Sequence, residues 1–311
     1  MKMKCLIVVL SLLGCCCCKP DGQRVKVQDV AAVPQSGFTR PIAPAVLTGE
    51  AERAGYLVLH WWDRFSFEDT TLIHRPDVAE QAFADFLATL QLAGEEQVAG
   101  AVKRFLSGAE REATGRMYEY FLGLSEHYLY EPNSPMRNED AYLHFLRYIL
   151  NDSTSDETKR IRPASQLEEI GKNRLGAIAA DFAYTQADGR QGRLHGIASD
   201  YTLLLFHSPD CGECDRVKAV LKSSSTVARL ISGGRLQILF LYPFEDMAEW
   251  EKGRSGIPSA WINARDASEG FRIKEELYSI RSAPSIYLLD REKRVLLKDA
   301  TVERAIQGLN N

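Results

Sequence analysis

Cysteine is nearly absent from the body of this 311-residue chain: five of its seven cysteines lie within the first 18 positions, leaving only Cys211 and Cys214 beyond them. That count excludes a disulfide-stapled scaffold, which spreads several pairs through the sequence. Histidine is also sparse, and its six copies are scattered. With no second cysteine pair, a zinc site has too few partners, so no metal and no cofactor is expected. Long apolar runs are missing too. The strongest, Leu6 to Leu10, falls well short of the roughly 20 residues that cross a bilayer, which argues against a transmembrane anchor. No basic patch exists, and the formal charge is −4, so nucleic acid is not an expected partner. What remains, 45% hydrophobic and 26% charged, is ordinary globular composition in a chain long enough for two domains.

The N-terminus is organised for export. Lys2 and Lys4 precede the apolar run, and Leu12-Leu13-Gly14-Cys15 has the bulky, permissive, small, cysteine order of a bacterial lipobox. Residues 1–14 are expected to be a lipoprotein signal peptide. Cys15 would become the lipidated N-terminus, and loss of the two lysines would take the charge to −6. Cys16, Cys17 and Cys18 have no role in this reading, because adjacent cysteines rarely meet disulfide geometry. Pro20, Pro34, Pro41 and Pro44 mark residues 15–45 as a tether, spanning roughly 30 Å as a coil.

Residues 46–170 carry helical periodicity. Four apolar stripes follow one another: Ala79, Phe83, Phe86, Leu87 and Leu90 after Pro76; Val98, Val102, Phe105 and Leu106; Met117, Phe121, Leu124, Tyr128 and Leu129; Tyr142, Phe145, Leu146, Ile149 and Leu150. They predict an α-helical domain, with Pro76 in the first turn of its helix. Tyr56, His60, Trp61, Trp62, Phe65 and Phe67 form an aromatic group that reads as a helix end packed into that core; a ligand-stacking surface is the alternative. Residues 151–170 read as a charged connector with a short helix. From residue 171 to 311 the period becomes strand-like. Ala187-Asp188-Gly189 marks a hairpin turn, Tyr201 to Phe206 and Leu236 to Tyr242 are buried strands, and residues 245–280 look like an insertion. Ser285 to Leu289 and Val295 to Leu297 close the sheet before a last helix.

Cys211-Gly212-Glu213-Cys214 follows a strand and opens an amphipathic stretch with Val217, Val220 and Leu221. A thiol at a helix start is favoured as thiolate by the orphan amides and the macrodipole. The second thiol, one turn on, is placed to attack a mixed disulfide. The pair therefore suits electron exchange.

Taken with Leu175-Gly176 to Asp181-Phe182, Asp188-Gly189 and Ser282-Ala283-Pro284-Ser285, these residues resemble the TlpA/ResA-like membrane-tethered thioredoxin-fold oxidoreductases over residues 174–311. The helical half looks like an uncharacterised domain that precedes such modules in envelope lipoproteins. The resemblance implies an α+β two-domain fold, helical domain first and thioredoxin-like α/β domain second. It further implies catalytic Cys211 and Cys214 and a cis Ala283-Pro284 bond that places Ala283 and Pro284 against substrate; from the residues alone Pro284 is a strand-entry proline. Three features depart from the pattern. Asp210 stands where an aromatic is usual, Gly-Glu separates the cysteines instead of Gly-Pro, and His207 is the candidate proton relay where a carboxylate is common. Carboxylates at Asp210, Glu213 and Asp215 oppose thiolate formation, whereas the helix dipole, Arg216 and Lys218 favour it; a less stabilised thiolate makes the couple more reducing.

The expected function is thus an envelope lipoprotein thiol-disulfide oxidoreductase. Its partners would be disulfide-containing envelope proteins and a membrane electron donor, it would face the periplasm or cell surface, and the helical half would govern partner choice. The alternative is a non-catalytic thioredoxin-fold scaffold that binds peptides, glycans or a partner protein. A peroxidatic site is disfavoured, since Leu204 and Ser208 occupy the positions where a proline and a threonine are needed.

Overall fold

The structure, a computed structural model, describes residues 38–151, 157–268, 270 and 272–310; the signal peptide, Cys15 and most of the tether lie outside them. Residues 37–311 form one compact unit. Its first half is helical: α1 (Glu50–His60), α2 (Ala79–Leu90), α3 (Glu95–Ala109), α4 (Arg116–Leu129), α5 (Glu139–Asn151) and α6 (Glu157–Gly171). The four stripes read from sequence, apart from Ile149 and Leu150 at the end of the last, face one shared core in which Phe83, Phe86, Phe105, Phe121 and Phe145 are fully buried.

Four of the six aromatic residues, Trp61, Trp62, Phe65 and Phe67, belong to that core, while the half-buried Tyr56 and His60 rings lie 4.4 Å apart outside it. Trp62 stacks on Phe105 at 4.6 Å and meets Phe65 edge-on at 5.1 Å. Trp61, Phe65 and Phe67 are likewise buried, so these rings offer no stacking face to a ligand. Gly108 on α3 is there for Phe67: a Cβ at that position would lie 2.6 Å from the ring.

Two helix boundaries differ from expectation. Pro76 lies in the turn before α2, which starts at Ala79, and its carbonyl accepts from Gln81 at 3.0 Å. Residues expected to be mostly connector instead form the 15-residue α6, with Pro163 inside it. α6 packs on α5 through Gln166, which accepts from the Tyr142 hydroxyl at 3.0 Å and donates to Glu126 at 2.8 Å, and through Ile170. Packing supplies what the interior proline costs.

The second half is a seven-stranded sheet in the order β2-β1-β5-β4-β3-β6-β7. Its strands are β1 (Ala183–Gln186), β2 (Gln191–Arg193), β3 (Tyr201–Phe206), β4 (Leu236–Tyr242), β5 (Ile262–Asp266), β6 (Ser285–Leu289) and β7 (Val295–Leu297). β3 runs parallel to β4 and antiparallel to β6, and β4 is parallel to β5. Covered on both faces, β3 is a continuous apolar run. Leu203 and Leu205 meet the layer of α7 (Gly212–Ser223), α8 (Ser225–Ser232) and α10 (Val302–Gly308), while Leu204 and Phe206 meet Tyr278 and Tyr287. The chain is therefore a helical half followed by a thioredoxin-fold α/β half.

The stretch 245–280, expected to be an insertion, contributes α9 (Met247–Gly253) and then β5, an inner strand between β4 and β1. Ile262-Asn-Ala-Arg-Asp266 hides its nature because one of its buried positions is Asp266. That carboxylate accepts from the Ser268 amide and hydroxyl and from the Ile273 amide at 3.2 Å.

Candidate functional site

β3 delivers the chain to the N-terminus of α7, where Cys211 is the cap residue. Its Sγ accepts from the Cys214 amide at 3.1 Å, which satisfies an orphan donor of the first turn. Cys211 and Cys214 are joined as a disulfide with Cα atoms 5.2 Å apart, so the chain is in its oxidised form. Cys214 is buried and Cys211 is partly exposed. The structure thus brings together the pair predicted from sequence and gives only one sulfur access to a partner.

Across from the helix end, the Ala283-Pro284 peptide is cis and the Ala283 carbonyl lies 3.4 Å from Cys211 Sγ. Four predicted site residues, Cys211, Cys214, Ala283 and Pro284, are therefore gathered at one place, with Cys214 beneath the surface.

The carboxylates around the thiols are more compensated than their sequence suggested. Glu213 is bound by Arg216, which lowers its carboxyl from the usual range, and Arg216 also reaches Glu303 at 2.9 Å. Asp215 is paired with Lys218 at 2.6 Å and is lowered by it. Asp210, Glu213, Asp215 and Glu303 still outnumber Arg216 and Lys218. The neighbourhood remains net negative, by less than the sequence alone implies.

His207 follows the last residue of β3, near enough to Asp215 and Lys218 of α7 to feel their charges. Its ring stacks on Phe240 at 3.9 Å, it is 2% exposed, and its Nε2 has no hydrogen-bond partner. Burial, helped by Lys218, pushes it down to about 3. A histidine held that low is neutral at physiological pH and a poor acceptor for a thiol proton, which weighs against the relay role. It has a different consequence. Because the folded pKa lies below the unfolded value, this group's contribution is full above about pH 6.5 and is lost as pH falls from there toward 3. His207→Phe keeps the stack and removes the titration. In urea denaturation series from pH 7 to 4.5, wild type should lose up to about 1.4 kcal/mol per pH unit that the variant retains; parallel curves would show that His207 is not buried neutral.

Sequence reasoning missed one feature of the site. Arg281, two residues before Ala283, is held by the helical half: it donates to the Tyr130 carbonyl, lies 3.9 Å over the Tyr130 ring and pairs with Glu139 at the start of α5. Glu139 also takes Lys298 at 3.0 Å and Arg137 at 2.7 Å, and Arg137 continues to Asp299 at 2.6 Å. These five side chains are all largely buried. Although burial pushes Glu139 upward, Lys298, Arg137 and Arg281 together hold its carboxyl below the usual range. No local pattern announces such a cluster, since Glu139 and Arg281 are 142 positions apart.

Residues 17–173 match the model of the family described as Domain of unknown function (DUF5106). A thioredoxin-like protein from Bacteroides caccae, solved by crystallography, is 36% identical, with 88% of this chain and 98% of that one covered and a TM-score of 0.82. The chain belongs to the thioredoxin-like proteins, with a DUF5106 domain in its first half. Two further solved structures each match a little under half of the chain. The C-terminal domain of an uncharacterized protein from Bacteroides fragilis is 38% identical over 45% of this chain and 99% of that one, with a TM-score of 0.43. The thioredoxin domain of a thiol-disulfide oxidoreductase from Bacteroides vulgatus is 19% identical over 44% and 96%, with a TM-score of 0.39. None of the curated proteins matches.

Proposed function

We propose that this thioredoxin-like protein reduces disulfides of other proteins through Cys211 and Cys214. One observation carries the reading: Cys211 is the accessible sulfur, capping a helix and facing the Ala283 carbonyl, while its partner Cys214 is buried one turn behind it. The Cys211 thiolate attacks one sulfur of a substrate disulfide, and the other sulfur leaves as a thiolate that takes up a proton. Cys214, giving up its proton, then attacks Cys211 Sγ, releases the second substrate sulfur as a thiol and closes the 211–214 disulfide. Two electrons pass to substrate; an external dithiol donor in the membrane returns them to the enzyme.

The excess of carboxylates around the pair disfavours thiolate and favours a reducing couple. Equilibration with thiol redox buffers should give a potential lower than about −200 mV, the side on which reductases lie. A value near −120 mV would reverse the direction of the proposed reaction.

Location in the cell envelope rests on the lipobox, with lipid on Cys15. Among the described residues, no helix is long and apolar enough to cross a membrane. Cys15→Ala should move the expressed protein from the membrane fraction to the soluble one and abolish fatty-acid labelling. Unchanged membrane recovery would remove the lipid anchor from this reading.

A further inference from the structure

The loop that faces Cys211 is not held by the thioredoxin half alone. Arg281 begins that loop, and every polar partner of its guanidinium described above comes from the helical half: the Tyr130 carbonyl and the Glu139 carboxylate, with the Tyr130 ring beneath it. Two residues along, the Ala283 carbonyl touches Cys211 Sγ. Glu139 simultaneously binds Lys298 just after β7, and Arg137 binds Asp299 beside it, so the same few side chains grip the thioredoxin half at a second point. Arg281 is 16% and Glu139 14% exposed, where an ion pair is less screened by solvent than on the surface. A planar guanidinium held from two directions and from below has little freedom, and a backbone two residues away inherits that restraint.

We infer that the DUF5106 half is a positioning element of the redox site, with Glu139 and Tyr130 fixing Arg281 and thereby the Ala283 backbone that receives an extended substrate segment. The inference rests on the oxidoreductase reading for its substrate but not for its coupling. Arg281 and Glu139 are positioning residues, since neither touches the sulfurs. Energy spent on ordering this loop is then supplied by the fold and not by the substrate, which lowers KM.

Two experiments test this on the protein spanning residues 37–311. In the first, amide resonances of the wild-type protein are compared before and after reduction of the 211–214 disulfide by an added dithiol. Coupling requires shifts at Tyr130, Glu139 and Arg281, with Leu57 on α1 unmoved. If Tyr130 and Glu139 keep their positions, the helical half does not sense the redox site and the inference is wrong. In the second, insulin serves as the protein disulfide. Glu139→Gln and Arg281→Gln should each raise KM about tenfold with kcat within twofold of wild type, whereas Arg104→Ala, which removes a surface pair with Asp63, should leave both constants alone. KM within twofold of wild type in both variants overturns the proposal. Should a variant fail to fold, the wild-type resonances decide. Should wild type fail to reduce insulin, the oxidoreductase reading falls while the resonances still judge the coupling.

Discussion

Cys211→Ser should abolish reduction of protein disulfides, whereas Cys214→Ser should accumulate covalent complexes with substrate. The asymmetry follows from position. Cys211 is the partly exposed cap of α7, its Sγ next to the Cys214 amide and the Ala283 carbonyl, so it is the sulfur that an incoming disulfide can meet. Without it Cys214 remains, but that thiol is 3% exposed and cannot be reached in line by a protein substrate. Turnover should fall to the rate of the uncatalysed reaction with the added reductant. With Cys214 replaced, the first exchange still occurs and the second cannot, so the mixed disulfide on Cys211 persists until external thiol resolves it. Insulin reduction followed by turbidity, together with non-reducing electrophoresis of the Cys214→Ser protein, reads out both halves. Equal turnover in wild type and Cys211→Ser would end the enzyme reading. Trapped complexes on Cys211→Ser instead of Cys214→Ser would exchange the two roles.

The residues proposed to carry this chemistry were legible from sequence because their signals are local. A strand ending at Phe206, two cysteines one helical turn apart and an amphipathic continuation are contained in about 20 consecutive residues, and the fold draws them together without help from distant chain. The same holds for the helical stripes, whose period shows directly which face is buried. Legibility failed where tertiary contacts overrode local pattern. β5 is an inner strand whose short alternation, Ile262-Asn-Ala-Arg265, is broken at the buried position Asp266, an acid satisfied by a following turn, so five residues with one β-branched side chain do not mark it. α6 survives an interior proline because Gln166 and Ile170 lock it to its neighbours. The charges around the dithiol read as three carboxylates set against Arg216 and Lys218, and which acid each cation pairs with appears only once the helix brings i and i+3 together, neutralising Glu213 and Asp215. The division of labour expected between the halves met a similar limit, because the Arg281 clamp ties the loop at the thiols to α5 and to the segment before it.

That clamp makes the protein's stability dependent on one carboxylate. Glu139→Ala should cost about 3–5 kcal/mol, the range for breaking a buried ion pair by removing one partner. Arg281, Lys298 and Arg137 all pair with Glu139, and Arg137 pairs with a second carboxylate, Asp299, as well. Removing the acid strands cationic groups where water cannot reach them freely, a larger penalty than the attraction the acid provided. Arg281→Ala added to Glu139→Ala should recover part of the loss, since one stranded charge goes with it. A surface control, Arg104→Ala, should cost less than about 1 kcal/mol. Urea midpoints of the four proteins separate these cases. A fragment of residues 171–311 loses Tyr130, Arg137 and Glu139 together, so it should be less stable still and retain little ordered structure around loop 281–284. A loss below about 1 kcal/mol in Glu139→Ala, with a fragment as stable as the whole, would mean that the cluster is solvated and that the two halves are independent.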